Sequence, residues 1–164
     1  MNFERQVNRM LDDDHRANLE LIDRIELAVG GPAGAGDRAD AALAAIAPAI
    51  VRHIELDLAR HFGFEESEIF PRLRDAGGDD LADLLTEEHR MIRAVAGELV
   101  PLARRAPGGS LGQDERASLK RLALELAERE SAHISKESMA LLPQVEDLFD
   151  EAADRELTLA YASS

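Results

Sequence analysis

The stretch HFGFEESEIFP, residues 61–71, places His61 and Glu65 four positions apart. On an α-helix such residues share one face, with Cβ atoms about 5–6 Å apart, so an imidazole and a carboxylate spaced this way can reach one metal site. The spacing returns in HISKESMALLP, residues 133–143, where His133 and Glu137 again run into a proline. One pair is weak; two pairs, far apart in the chain, point to a shared site.

Around the first pair, Val51, Ile54, Leu58, His61, Glu65 and Ile69 form the apolar stripe of an amphipathic helix, so His61 and Glu65 stand where core residues belong. Pro48 should kink this run or separate a short lead-in helix from it. Upstream, Phe3, Val7, Leu11, His15, Leu19, Ile22, Ile25 and Val29 step by three or four. That helix should end at Gly30-Gly31-Pro32, with residues 33–36 as a short turn and Asp37 as N-cap of the next. Downstream, Gly77-Gly78 closes the second helix and Asp79 or Asp80 opens a third, on the stripe Leu81, Leu85, His89, Ile92, Ala96, Leu99. Ser110 and Gln113 have capping-box spacing for a fourth helix carrying Leu119, Leu122, Leu126, His133, Glu137 and Leu141, which Pro143 should kink or end.

The expectation is an all-α, up-down-up-down antiparallel four-helix bundle in one domain, residues 1–164. Its helices span about 3–29, 38–74 with a kink near Pro48, 80–105 and 111–149, and a short tail over 151–161 has little bearing on function. The length suits one domain that buries a proper core. No cysteine is present, which excludes disulfides, thiolate zinc sites and iron–sulfur ligation by the chain's own sulfur. Asp and Glu number 33 against 19 Lys and Arg, and the basic residues form no stripe, so nucleic acid is not an expected partner. The charged amino terminus is unlike a signal peptide and no apolar run approaches a membrane span, so a cytoplasmic protein with no membrane partner is expected.

The bundle topology turns the stripes into a test. His15 follows Phe3 by 12 residues, His61 precedes Leu73 by 12, His89 follows Asp80 by nine, and His133 precedes Pro143 by ten. At 1.5 Å per residue all four fall about 14–18 Å from one end of the bundle. One histidine per helix thus shares a layer with Glu65 and Glu137. Buried carboxylates need compensating charge, and the stripes supply few basic residues. Six imidazole and carboxylate groups suit two first-row metal ions, with iron favoured and manganese or zinc as the alternatives.

These motifs, with DDDHRANLELI around His15 and EEHRMI around His89, make the chain resemble the hemerythrin-like proteins of the HHE cation-binding family over essentially its whole length. The resemblance implies that His15 and His61 bind one iron, His89 and His133 the other, with Glu65, Glu137 and an oxo or hydroxo group bridging. It implies small diatomic ligands or peroxide as partners, in oxidative or nitrosative stress, with a homodimer left open. Oxygen-carrying hemerythrins have two histidines four apart on the third helix; here Leu85 and Arg93 flank His89 at that distance. The resemblance is therefore to bacterial members linked to nitric oxide, peroxide and iron–sulfur cluster repair, and a peroxide- or nitric-oxide-reducing diiron oxidoreductase is among the activities it allows. Iron storage or delivery, cluster repair and a metal-free helical interaction module are the alternatives; no catalytic residue beyond the metal ligands is assigned. The ferritin-like Glu-x-x-His pattern occurs once, at Glu130 and His133, and so loses to the doubled His-x-x-x-Glu.

Four further residues complete the reading. His53 lies eight residues before His61, about 12 Å along the axis, and is read as a second-layer or surface residue paired with Asp57. Glu66 and Glu88 flank candidate ligands but point about 100° away from them, which favours a solvated face, with a role at the site entrance as the alternative. Arg93 would bring positive charge to the site if it turned inward.

Overall fold

The computed structural model describes residues 3–30 and 37–163. Five helices account for nearly all of them: α1 (Gln6–Gly30), α2 (residues 37–75), α3 (Asp79–Arg105), α4 (residues 113–148) and α5 (Glu151–Ala162). No strand occurs among the described residues, and none of the described helices is long and apolar enough to cross a membrane. The turn expected over residues 33–36 lies outside the described residues; α2 is already helical at Asp37.

The first four helices close a ring in which α1 packs on α2 and α4, and α3 packs on α2 and α4. Two apolar clusters fill it. One contains Leu21, Ile25, Leu58, Phe62, Ile92, Leu126 and Ile134; the other contains Leu11, Phe64, Ile69, Leu85, Leu141 and Tyr161. Along α1 and α3 the chain passes from the second cluster to the first, and along α2 and α4 it passes back. The helices therefore run alternately up and down. On each of them the candidate ligands fall where the clusters meet, so the bundle carries a polar layer between two apolar ones.

Neither Pro48 nor Pro143 interrupts its helix. Pro48 lies inside Asp37–Arg52 without dividing it, and α4 continues through Pro143 to Leu148. The departures from α geometry are wide, π-type turns at His53–Leu58, Glu65–Ile69 and Glu137–Leu141. The amide of Phe70 reaches the carbonyl of Glu65, and that of Leu142 the carbonyl of Glu137, each spanning five residues. Pro71 and Pro143 follow directly. A proline has no amide for the carbonyl four residues back and crowds it, and a widened turn just before it relieves the clash while keeping the helix continuous. Both wide turns begin at the glutamates of the doubled motif.

The second helix stops at Gly77-Gly78, as expected. Gly77 takes φ +89°, and the amides of Gly77 and Gly78 donate to the carbonyls of Arg74 (2.8 Å) and Leu73 (2.9 Å), a Schellman stop that needs a residue tolerating left-handed backbone. Helix α4 starts at Gln113 rather than 111, with Gly112 as N-cap: its amide donates to Glu115 at 2.9 Å, whereas the Ser110 hydroxyl donates to the Arg105 carbonyl. The start of α1 is capped from afar. Glu146 accepts from the amides of Glu4 and Arg5, and Asp154 from those of Gln6 and Val7. The tail helix α5 is thereby fastened to the bundle, with Leu157 and Tyr161 buried.

Candidate metal centre

His15, His61, Glu65, His89, His133 and Glu137 converge in the polar layer, each 2% exposed or less. They form two groups, His15, His61, Glu65, Glu137 and Glu65, His89, His133, Glu137, within each of which one ligand atom per residue lies within 4.8 Å of the others. Both glutamates belong to both groups. Glu65 turns Oε1 to His61 Nε2 (3.4 Å) and Oε2 to His89 Nε2 (3.3 Å). Glu137 turns Oε2 to His15 Nε2 (2.9 Å) and Oε1 to His133 Nε2 (3.0 Å). Each carboxylate thus offers one oxygen to each pair of imidazoles.

These approaches are not hydrogen bonds in direction: all four oxygens of Glu65 and Glu137, and both ring nitrogens of His15, lack a hydrogen-bond partner. Unpaired carboxylates at full burial are among the costliest arrangements in a protein interior, because they forfeit hydration without replacement. The nitrogens make the same point. His89 Nε2 and His133 Nε2 face each other at 3.0 Å, while each ring's Nδ1 is turned to a carboxylate, Glu66 for His89 (2.8 Å) and Glu88 for His133 (2.9 Å). An imidazole whose Nδ1–H donates to a carboxylate presents a bare lone pair at Nε2. Two facing lone pairs repel, and a cation between the donors converts that repulsion into coordination. The donor set, imidazole nitrogen with carboxylate oxygen, fits first-row transition ions.

The electrostatics agree. Burial pulls His89 down, but the carboxylates of Glu137, Glu65 and Glu66 outweigh it and push its pKa up to about 9. His61 is likewise driven well above the usual imidazole value: burial opposes, and Glu65, Asp14 and Glu137 prevail. Burial pushes Glu137 up, yet His133, His15 and His61 hold it well below the usual carboxylate range. The cluster is a negative pocket that demands positive charge, from protons or from a metal.

Around the six stands a set of acids that the expectation of a solvated face misses. Glu66 accepts from His89 and is gripped by Arg93 (2.6 and 3.1 Å); Glu88 accepts from His133 and pairs with Lys136 (2.6 Å). Arg93 therefore does not turn into the site; it lies over the Phe62 ring and holds Glu66. Asp14 accepts from His61 Nδ1 (3.3 Å), from Arg60 (3.0 Å) and from the hydroxyl of Tyr161. Burial pushes Asp14 up, but these partners hold its carboxyl below its ordinary range, and burial together with Asp14 drives the Tyr161 phenol well above its own. The tail, expected to have little bearing on function, so reaches a candidate ligand through one acid. The signal was present: each acid adjoins a candidate ligand in sequence. A direction 100° from the bundle axis points at the neighbouring helix rather than at water, and there each acid meets that helix's histidine.

His53 also departs from expectation. It is buried and bonds Glu130 at 2.9 Å, while Asp57 pairs with Arg52 (2.8 Å). Apolar side chains close the layer: Phe62 stacks on His89 with ring centroids 3.6 Å apart, Phe70 approaches the same ring at 5.4 Å, and Leu85, one turn from His89, is fully buried.

Comparison with known families places the hemerythrin HHE cation binding domain on residues 6–145, which includes the first three ring helices, all but the last turn of the fourth, and all six converging residues. No curated protein matches the chain.

Proposed function

Because the chain belongs to the hemerythrin HHE cation-binding family, we propose that His15, His61, Glu65, His89, His133 and Glu137 hold two metal ions, iron by preference, and that the pair binds or reacts with small oxidants: oxygen, peroxide or nitric oxide. The observation that carries this reading is the division of each carboxylate, one oxygen toward His15 and His61 and the other toward His89 and His133. In this reading Glu65 and Glu137 would be shared by the two ions, with His15 and His61 holding one and His89 and His133 the other. Iron bound there supplies redox equivalents to a small molecule.

The remaining work belongs to the chain. Asp14, Glu66 and Glu88 fix three rings in the Nδ1–H tautomer, aim Nε2 inward and raise its donor strength. Phe62, Phe70 and Leu85 keep bulk water from the layer, which strengthens electrostatic interactions inside it. Four histidines leave room on the ions that a fifth imidazole would fill, and Leu85 and Arg93 offer no nitrogen to fill it. That favours reaction with small oxidants over reversible oxygen carriage.

The test is elemental analysis of the purified protein followed by stopped-flow mixing of its reduced form with oxygen, peroxide and nitric oxide. Two irons per chain and oxidation without a long-lived oxygen adduct are expected. An adduct that releases oxygen under vacuum would restore the carrier reading, and a protein that takes up no metal would remove the proposal altogether.

A further inference from the structure

Helix α5 lies wholly beyond the family match, which ends at residue 145, yet its last turn reaches the site. The hydroxyl of Tyr161 donates to Asp14 Oδ2. The same oxygen accepts from Arg60 at 3.0 Å and from His61 Nδ1 at 3.3 Å. The phenol is held firmly in that place. Its ring is buried, meets Phe64 edge-on with centroids 4.7 Å apart and lies 4.8 Å beneath the Arg60 guanidinium, while Asp154 ties the other end of α5 to the amides of Gln6 and Val7.

A carboxylate oxygen offers about two lone pairs, and here three donors turn to one. The other outer acids carry less on the oxygen that faces their imidazole. Glu66 Oε1 serves His89 and Arg93, and Glu88 Oε2 serves His133 while Lys136 takes the other oxygen. The distances follow this load: 2.8 Å from His89 and 2.9 Å from His133, but 3.3 Å from His61. The crowded oxygen has let go of the candidate ligand rather than of the tail. Resting on the metal-pair reading, we propose that Tyr161 is a positioning residue which, by competing with His61 for Asp14 Oδ2, lowers the affinity of the half formed by His15 and His61 for its ion. A metal at Nε2 withdraws charge from the ring and makes Nδ1–H a stronger donor, so binding draws Asp14 back from the hydroxyl. Ion and tail oppose each other, and linkage makes the two effects equal in size.

Iron is first counted in the wild-type protein and in each variant, and ferrous iron is then bound without oxygen in competition with a chromophoric chelator. Tyr161→Phe keeps the ring and removes the hydroxyl. One binding step should tighten at least about threefold, a fraction of the roughly 10–100-fold that a whole outer partner is worth, while the other stays within about twofold. With Glu88→Ala added, the gain should remain on one step and the loss from Glu88 should fall on the other. A tail with a merely structural role would weaken both steps or neither. The second measurement needs no variant: hydrogen exchange of the α5 amides near Tyr161 should be about threefold faster in the iron-loaded protein than in the metal-free one, against the slowing that ligand binding ordinarily brings. Steps unchanged or weakened in Tyr161→Phe, both changes falling on one step, or tail exchange that iron slows or leaves unchanged would each overturn the proposal. A wild-type protein without iron would overturn the metal-pair reading, and the proposal with it, before either measurement begins.

Discussion

Replacing Glu88 tests whether the outer acids act on one half of the site at a time. Glu88 accepts from His133 Nδ1 at 2.9 Å and touches no other candidate ligand, and His133 faces His89 and Glu137. Loss of an outer-shell partner to a metal-bound histidine costs roughly 10–100-fold in metal affinity, which is about 1.4–2.7 kcal/mol. Glu88→Gln retains an acceptor oxygen, so the tautomer survives and only the charge is lost. Lys136 already neutralises part of that charge, and the effect should lie near the tenfold end. Glu88→Ala removes the acceptor, frees the ring to turn and should approach the hundredfold end. The half containing His15 and His61 keeps its own outer acid, Asp14, and its own oxygens of Glu65 and Glu137. Competition against a chromophoric chelator should therefore weaken one of the two binding steps and leave the other. Glu87→Gln is the control, since Glu87 pairs only with Arg90 on the surface. Equal weakening of both steps, or Glu88→Ala binding as tightly as Glu87→Gln, would refute the reasoning.

Glu137→Ala should reduce metal content at both positions, because its two oxygens serve both halves; elemental analysis showing one full equivalent retained would contradict a shared carboxylate. Stripping the metal should lower the melting temperature by roughly 10–20 °C, from about 2.7 kcal/mol per ion at a hundredfold excess over Kd and about 2–4 °C per kcal/mol at this chain length. In the stripped protein His89, with a folded pKa of about 9 against 6.5 ordinarily, contributes stability that is full below 6.5 and lost as pH rises through 9. Glu137, held well below 4.5, contributes stability present above 4.5 and lost as pH falls below it. Urea titrations of the metal-free protein should thus show stability falling between pH 6.5 and 9, and metal should flatten that fall by taking the place of the protons; a flat metal-free profile would tell against the reading. Tyr161→Phe removes the hydroxyl given to Asp14 and should cost about 1.5–3 kcal/mol in urea unfolding, as a hydrogen bond to a charged group does; an unchanged midpoint would mean that the tail is idle.

The helices were legible because their apolar residues recur at three and four, and the level of the histidines followed from helix rise alone. What periodicity does not contain is the direction in which a side chain leaves its helix relative to the next helix. The angle of Glu66 and Glu88 from their own ligands favours a solvated face over a role at the site, and only the neighbouring helix, with His89 and His133 on it, decides for the site. His53 was given a local partner, Asp57, when its true partner lies 77 residues away on another helix. Pro143 does not end its helix, because the wide turn at Glu137–Leu141 absorbs its geometry in a way that spacing does not reveal. The caps of α1 come from Glu146 and Asp154, far along the chain, beyond the reach of any local signature.

The outer acids follow the order of the chain. Asp14 of α1 serves His61 of α2, Glu66 of α2 serves His89 of α3, and Glu88 of α3 serves His133 of α4. Each acid adjoins a site residue on its own helix, so a displacement at one helix shifts the support of the imidazole on the next. The next step would be an acid on α4 serving His15, but the residues beside His133 and Glu137 are Ala132, Ile134, Lys136 and Ser138, none of them an acceptor carboxylate. Accordingly His15 Nδ1 has no hydrogen-bond partner. The ring of supports is open at one place, at His15. Three imidazoles thus have an outer carboxylate at Nδ1, whereas His15 meets a carboxylate only through Nε2, at 2.9 Å from Glu137, so its ring orientation depends more than the others' on the packing around it.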